Sequence, residues 1–236
     1  MSHGIQLKAC GATTREELRA LGSGGATLAG LWWRIPGSKR SLADDSLVEL
    51  AAACHGIDGM QPCLVTFSAD AVELAAIMNR AGIRWVQLHA FQTPKMVAQL
   101  RSLLPADAVI VKVFHFQGAT CLEKPYYGAY KRAGTDVAIF DAMSPDGRVG
   151  STGHEVPPDA LLAAAVELDL PFLAAGGVTP DNAAAHAGLR SLPTFRGVDA
   201  DSATRGPDGS FSAPNIESIG AAWLGATAPV PAGAAG

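Results

Sequence analysis

The feature that most constrains this chain is a repeated alternation of short apolar runs with longer helix-like stretches. The runs are Ile5–Cys10, Thr27–Trp33, Cys63–Phe67, Arg84–His89, Val109–Phe114, Asp136–Asp141, Phe172–Ala175 and Phe195–Asp199. Each is bounded and almost continuously apolar, the pattern of parallel strands buried on both faces. Their starts recur roughly every 20–36 residues, the length of one strand–helix unit. Eight such units predict an α/β protein with a single (β/α)8 barrel, a TIM barrel, at the compact end of its range. An open doubly wound sheet competes, but it has about five or six strands, and no GxGxxG follows the first run.

The stretches between the runs carry helix punctuation. Ser68 to Gly82 opens on a residue that can cap and stops at a glycine. Thr13–Glu17, Thr93-Pro94 and Thr179–Asn182 read as helix starts, two of them with proline in the first turn. Glu123–Ala133 has helical character interrupted by Pro125 and Gly128.

Composition narrows the class further. With 48% hydrophobic and 17% charged residues in 236, the chain can bury a large core and is not a disordered one. The formal charge of −4 argues against nucleic acid or an anionic membrane as the main partner. The first eight residues lack a basic then apolar leader. The most apolar region, Ala160 to Val178, is broken by Glu167, Asp169 and Pro171, so no bilayer span is expected. Cys10, Cys54, Cys63 and Cys121 lack CxxC spacing and read as reduced thiols of a cytoplasmic protein. The 26 glycines and 15 prolines exceed ordinary usage, which marks many tight connections. Part of that surplus lies in a low-complexity Ala/Gly/Pro tail, 225–236, expected to be disordered, leaving 1–224 as the barrel.

In a barrel of this kind the chemistry lies at the carboxyl ends of the strands. Cys10 ends the first run and Asp141 the sixth. Alternation puts Lys8 on the same strand face as Cys10, so the thiol is expected to be partly thiolate, a base or nucleophile. Asp141 closes an apolar strand, where desolvation favours a protonated acid. The plain structural reading, a small buried hydrophobe and a helix cap, stays open for both. Gly176-Gly177 before Thr179-Pro180, and Gly197 with the Asp201–Arg205 turn, can bring backbone N–H groups to an anion. Trp32 and Trp33 are expected to pack or line the barrel, and Lys112 to be a partly solvated ion-pair lysine. His55, His115, His154 and His186 show no ligand spacing.

Several motifs then stand in a telling order: Lys8-Ala-Cys10-Gly11, Gly30 followed by Ser38-Lys39-Arg40, Val86-Gln87-Leu88-His89, Phe140-Asp141, Gly150-Ser151-Thr152-Gly153, Ala175-Gly176-Gly177-Val178-Thr179-Pro180-Asp181-Asn182, and Gly197-Val198-Asp199. Over about residues 5–205 they resemble the KxCG, Ser-Pro/Lys-Arg, VQLHG, LLDS, GGTG, AGGLxPxN and GVDVSSG motifs of the phosphoribosylanthranilate isomerase family. The resemblance implies an Amadori rearrangement in tryptophan biosynthesis, an aldose–ketose isomerisation that needs no metal or organic cofactor. It places the base at Cys10 and the acid at Asp141. It also implies a phosphorylated aminosugar substrate bound by Lys8, Arg40, His89, Gly153, Gly176, Gly177, Asp199 and Ser202, with Arg40 near the anthranilate carboxylate. A monomer or a homodimer is compatible with it.

The chain departs from the family pattern in places. Ala90 follows His89 where glycine is usual, and Asp201-Ser202-Ala203 stands in place of Ser-Ser-Gly. His154-Glu155 replaces the aromatic and acidic residues that follow GGTG, and the Lys-Asp before the last helix is absent. An aspartate beside a phosphate repels it unless it is turned away or paired, with Arg205 the available partner. Three alternatives follow: a member recruited to another aminosugar in specialised metabolism, a non-catalytic ligand-binding barrel, and a Schiff-base aldolase using Lys112 or Lys8.

Overall fold

Each of the eight apolar runs forms a strand, and together they close a parallel barrel. The computed structural model describes residues 4–144 and 154–225. In chain order the elements are β1 (Gln6–Cys10), α1 (Arg15–Ser23), β2 (Leu28–Trp33), α2 (Asp44–His55), β3 (Gln61–Thr66), α3 (Ala71–Ala81), β4 (Trp85–Leu88), α4 (Pro94–Leu103) and β5 (Val109–Gln117). Then come β6 (Thr120–Cys121), α5 (Tyr127–Ala133), β7 (Val137–Ala142), α6 (Pro158–Leu168), β8 (Phe172–Ala174), α7 (Ala187–Arg190), β9 (Phe195–Ala200) and α8 (Ala213–Leu224). The strands pair in the order β4-β3-β2-β1-β9-β8-β7-β5, and β4–β5 pairing closes the ring. The short β6 folds back antiparallel on the end of β5, through a turn at Gly118 with φ +61°.

Strand alternation sorts the side chains into two layers. On β5, Val109, Val111 and Val113 point into the barrel, where they meet Cys63, Val65, Val137, Ile139 and Leu173. Ile110, Phe114 and Phe116 face outward to the helices, in a layer that includes Phe140, Phe172 and Trp223. The polar Lys8 and Asp199 are both buried and share the barrel interior with the thiol of Cys10.

Most helix signals act as their chemistry requires. Thr14 caps α1 in a reciprocal box with Glu17, and Thr93 caps α4 ahead of Pro94. The cap of α3 is Asp70, whose carboxylate accepts from Val72 and Glu73 N–H, instead of the expected Ser68. Pro125 sits in a 3-10 turn over Lys124–Tyr126 that leads into α5. The stretch after Thr179 departs further: residues 180–186 are turns and regular helix is confined to Ala187–Arg190. Thr179 and Asn182 still cap one another, each side chain accepting from the other's N–H.

Gly197 lies within β9, at a bulge against β8, apart from the Asp201–Arg205 turn with which it was expected to act. Its φ is +124°, and a Cβ there would lie 1.8 Å from the Gln6 carbonyl oxygen. Gly197→Ala is expected to cost about 2 kcal/mol in urea unfolding, by forcing β1 and β9 apart at a backbone that alanine rarely adopts. Residues 226–236, expected to form a disordered tail, lie outside the described residues, as does Gly153.

Candidate active site

The carboxyl ends of the strands open into a cavity of about 370 Å³. Cys10, Asp141 and Asp199 line it from β1, β7 and β9, with His89 just past β4 and Trp32 on β2. Gly176 and Gly177 after β8, and Asp201, Ser202 and Ala203 after β9, complete that wall. Lys8 lies one layer deeper, and Arg40 stands at the rim beside Trp32 and Asp201. The expected site residues outside the 145–153 segment are therefore brought to one end of the barrel.

Cys10 fits because its neighbour is glycine. A Cβ on Gly30 would lie 2.6 Å from the Cys10 sulfur. Gly11 then turns the chain at φ +89°, its N–H donating to the Gly30 carbonyl at 2.8 Å. Lys8 Nζ donates to the Cys10 Sγ at 2.5 Å and to both Asp199 oxygens at 2.9 Å. Burial alone would pull the Lys8 ammonium down, but Asp199, Cys10 and Cys63 outweigh it and hold it above the ordinary lysine range.

The partly thiolate Cys10 expected from the sequence is not what this arrangement produces. Burial, reinforced by the Asp199 carboxylate, pushes the thiol well above its ordinary value, and Lys8 offsets only part of that. The cation beside the sulfur is already matched by Asp199. Cys63, deeper in the barrel, is pushed up to about 12 by burial.

Asp141 faces His89. The Asp141 Oδ2 lies 3.5 Å from His89 Nε2, and its Oδ1 accepts from the Ala142 N–H at 2.9 Å. Gln87 Nε2 approaches His89 Nδ1 at 2.6 Å, so an amide that donates there leaves the ring proton on Nε2, toward Asp141. Phe67 stacks on the imidazole with centroids 5.7 Å apart. Gly176, at φ +76°, lets its loop pass Asp141: a Cβ would lie 2.9 Å from Ala142 N and 3.3 Å from Asp141 Oδ1.

The N–H groups of Gly176, Gly177 and Ser202 make no hydrogen bond to other described residues. They lie on a loop and at the start of a 3-10 turn, Ser202–Thr204, and not at the helix start expected at Thr179. Asp201 is paired: Arg205 Nε donates to its Oδ1 at 2.9 Å, and Arg40 Nη1 lies 3.2 Å from each oxygen.

Sequence reasoning missed the scaffold behind His89. His115 is fully buried and bridges Glu123 Oε1 at 2.6 Å and the His89 carbonyl at 3.1 Å. Lys112 is also fully buried, where a partly solvated lysine was expected; its Nζ donates to the Ala90 carbonyl at 2.8 Å and lies 3.6 Å from Glu123. Burial pulls Lys112 down to about 8, but its ammonium is packed over Phe114 and Tyr130 in the outer layer. That placement removes Lys112 as a Schiff-base nucleophile in the cavity. The signal for this scaffold was two polar residues, Lys112 and His115, within an otherwise apolar strand, with Glu123 following two residues after β6.

Fold and site together define a (β/α)8-barrel enzyme with a thiol and a carboxyl group opposed across one mouth. The N-(5'-phosphoribosyl)anthranilate isomerases of Brucella canis and Brucella suis are each 31% identical to it over 182 residues, 76% of this chain and 78% of theirs. The chain belongs to the N-(5'-phosphoribosyl)anthranilate isomerase family, and is an isomerase of that family. No protein-family model matches it. Solved structures of the isomerases from Thermus thermophilus (20% identity, TM-score 0.73, 93% of this chain and 98% of that one) and Thermotoga maritima (17%, 0.73, 94% and 100%) share its fold. No helix among the described residues is long and apolar enough to cross a membrane.

Proposed function

We propose that this protein rearranges N-(5-phosphoribosyl)anthranilate to the corresponding 1-amino-1-deoxyribulose 5-phosphate, a cytoplasmic step of tryptophan biosynthesis. The observation that carries the reading is the placement of Cys10 and Asp141 three strands apart on the wall of one cavity. A sugar held between them meets an acid on one side and a base on the other. Asp141 protonates the ring oxygen, the furanose opens to a Schiff base, and Cys10 then removes the C2 proton to give an enolamine. Tautomerisation of the enolamine yields the ketone. General acid and base groups need to be within hydrogen-bond reach of these atoms, and a cavity of this size holds a ligand in such contact.

The N–H groups of Gly176, Gly177 and Ser202, without partners among the described residues, support a phosphate site, with Gly153 expected to join them. Asp201 does not repel the phosphate as an isolated charge, because two arginines share it. Lys8 and Asp199 form the floor beneath the reacting carbon, His89 orients Asp141, and Arg40 is placed to receive the anthranilate carboxylate. The Thermotoga maritima relative is described as dimeric; a monomer or a homodimer of this chain is compatible with the reading. The purified protein is expected to consume enzymatically generated phosphoribosylanthranilate, followed by loss of its fluorescence. A protein inert toward that substrate but active on another aminoaldose phosphate points to recruitment, and one inert toward all of them to a binding barrel.

A further inference from the structure

Asp201 stands where the family motif has serine, and its environment gives it a task. On one side Arg205 is fixed: it is 8% exposed, donates to the Cys10 carbonyl at 3.0 Å and to Gly209 at 2.9 Å, and lies 3.8 Å over the Phe211 ring. On the other side Arg40 is 37% exposed and, among the described residues, its guanidinium is held through Nη1 alone, against the two Asp201 oxygens. Trp32 supports the Arg40 guanidinium from below, 5.5 Å from its carbon to the ring centroid. Among the described residues, Arg40 Nε and Nη2 have no hydrogen-bond partner.

We propose that Asp201 is a positioning residue that orients Arg40 for a substrate carboxylate. The proposal rests on the carboxylated-aminosugar reading above. Arg205 neutralises much of the Asp201 charge, so Asp201 holds Arg40 without consuming its whole fork. A guanidinium carries five N–H donors, and bidentate capture of a carboxylate uses one edge of two nitrogens. With Nη1 held, the Nε/Nη2 edge is the one left to the ligand. An arginine on a rim loop otherwise samples many rotamers, and fixing it beforehand lowers the entropy lost on binding. Serine is too short to bridge two guanidinium groups in this way.

The test compares Asp201→Ser and Asp201→Asn with the unmodified protein on two substrates, phosphoribosylanthranilate and its carboxylate-free analogue phosphoribosylaniline. Asparagine retains an oxygen for Arg205 Nε, so it checks that loss of the bridge, and not of the local fold, is being read. The expected result is a KM for the carboxylated substrate raised about tenfold in both variants, with kcat and the KM for the aniline analogue changed less than about twofold. Side-chain NMR of Arg40, assigned with Arg40→Lys, should show slowed guanidinium rotation with a resolved Nη1 signal, and both features should be lost in both variants. A lower KM for the carboxylated substrate would mean that Asp201 competes with it, and overturns the proposal. Equal losses on both substrates, or an Arg40 Nη1 signal unchanged by the substitutions, also overturn it. If the unmodified protein turns over neither substrate, the isomerase reading fails, and the NMR comparison still decides whether Asp201 orients Arg40.

Discussion

Asp141→Asn is expected to lower kcat/KM by a factor of about 10² to 10⁴, the range that a positioned acid or base contributes. Asparagine keeps an oxygen for the Ala142 N–H, so the loop after β7 should hold its course and thermal stability should change little. Cys10→Ala should produce a loss of the same order, because no other thiol lines the cavity. The double variant should fall no further than roughly the worse single one, since groups acting in one sequence of proton transfers are not additive. Substrate binding measured by fluorescence quenching should survive in each. Full activity in Asp141→Asn would remove the carboxyl from the reaction and leave its place at the rim without a chemical role.

The pH profile follows from the state of the thiol. A base must be deprotonated to work, and burial with Asp199 holds Cys10 in its thiol form above the ordinary thiol range. Below the thiol's pKa the active fraction falls tenfold per pH unit, so kcat/KM should climb through the alkaline range before it levels. That ascending limb should be absent from the residual rate of Cys10→Ala. A profile flat from neutral pH upward would show that the reacting complex carries Cys10 already as thiolate.

The barrel was legible because its strands are apolar on both faces, so periodicity alone marks them. Most strand boundaries fall within a residue or two of the runs; β5 is the clear exception, extending three residues to Gln117 and gaining the hairpin partner β6. Helices were less legible where no signal competes with their surroundings. The residue before α2 is Ala43, which makes no side-chain cap, and α6 is apolar over most of its length, so no period stands out. The capping pair Thr179 and Asn182 did form, but a local cap does not ensure a helix when the following residues find tertiary contacts as turns. Site residues could be found by their position at strand ends. Their charge states could not, because the groups that set them lie far away in sequence. Lys8 and Cys10 are neighbours on one strand, whereas Asp199, which decides what Lys8 can do for the thiol, approaches from β9. Arg40 and Asp201 likewise meet only because the barrel closes.

The Lys8–Asp199 pair should show its worth in two separate measurements. Lys8 is 1% exposed and its ammonium touches both Asp199 oxygens, so neither partner can be removed without leaving the other poorly solvated. Lys8→Met and Asp199→Asn are each expected to lower unfolding free energy by about 3–5 kcal/mol, whereas Lys8→Met combined with Asp199→Leu should cost less than either alone. Apolar replacement of both partners removes the desolvation penalty together with the attraction. The same two single variants should move the thiol in opposite directions. Lys8→Met deletes the cation that lowers it and shifts the ascending limb of kcat/KM to higher pH; Asp199→Asn deletes the anion that raises it and shifts the limb to lower pH. Shifts of the same sign in both variants would mean that altered packing, not charge, controls Cys10. Opposite shifts with similar losses of stability identify the pair as both the support of the barrel floor and the device that sets its base.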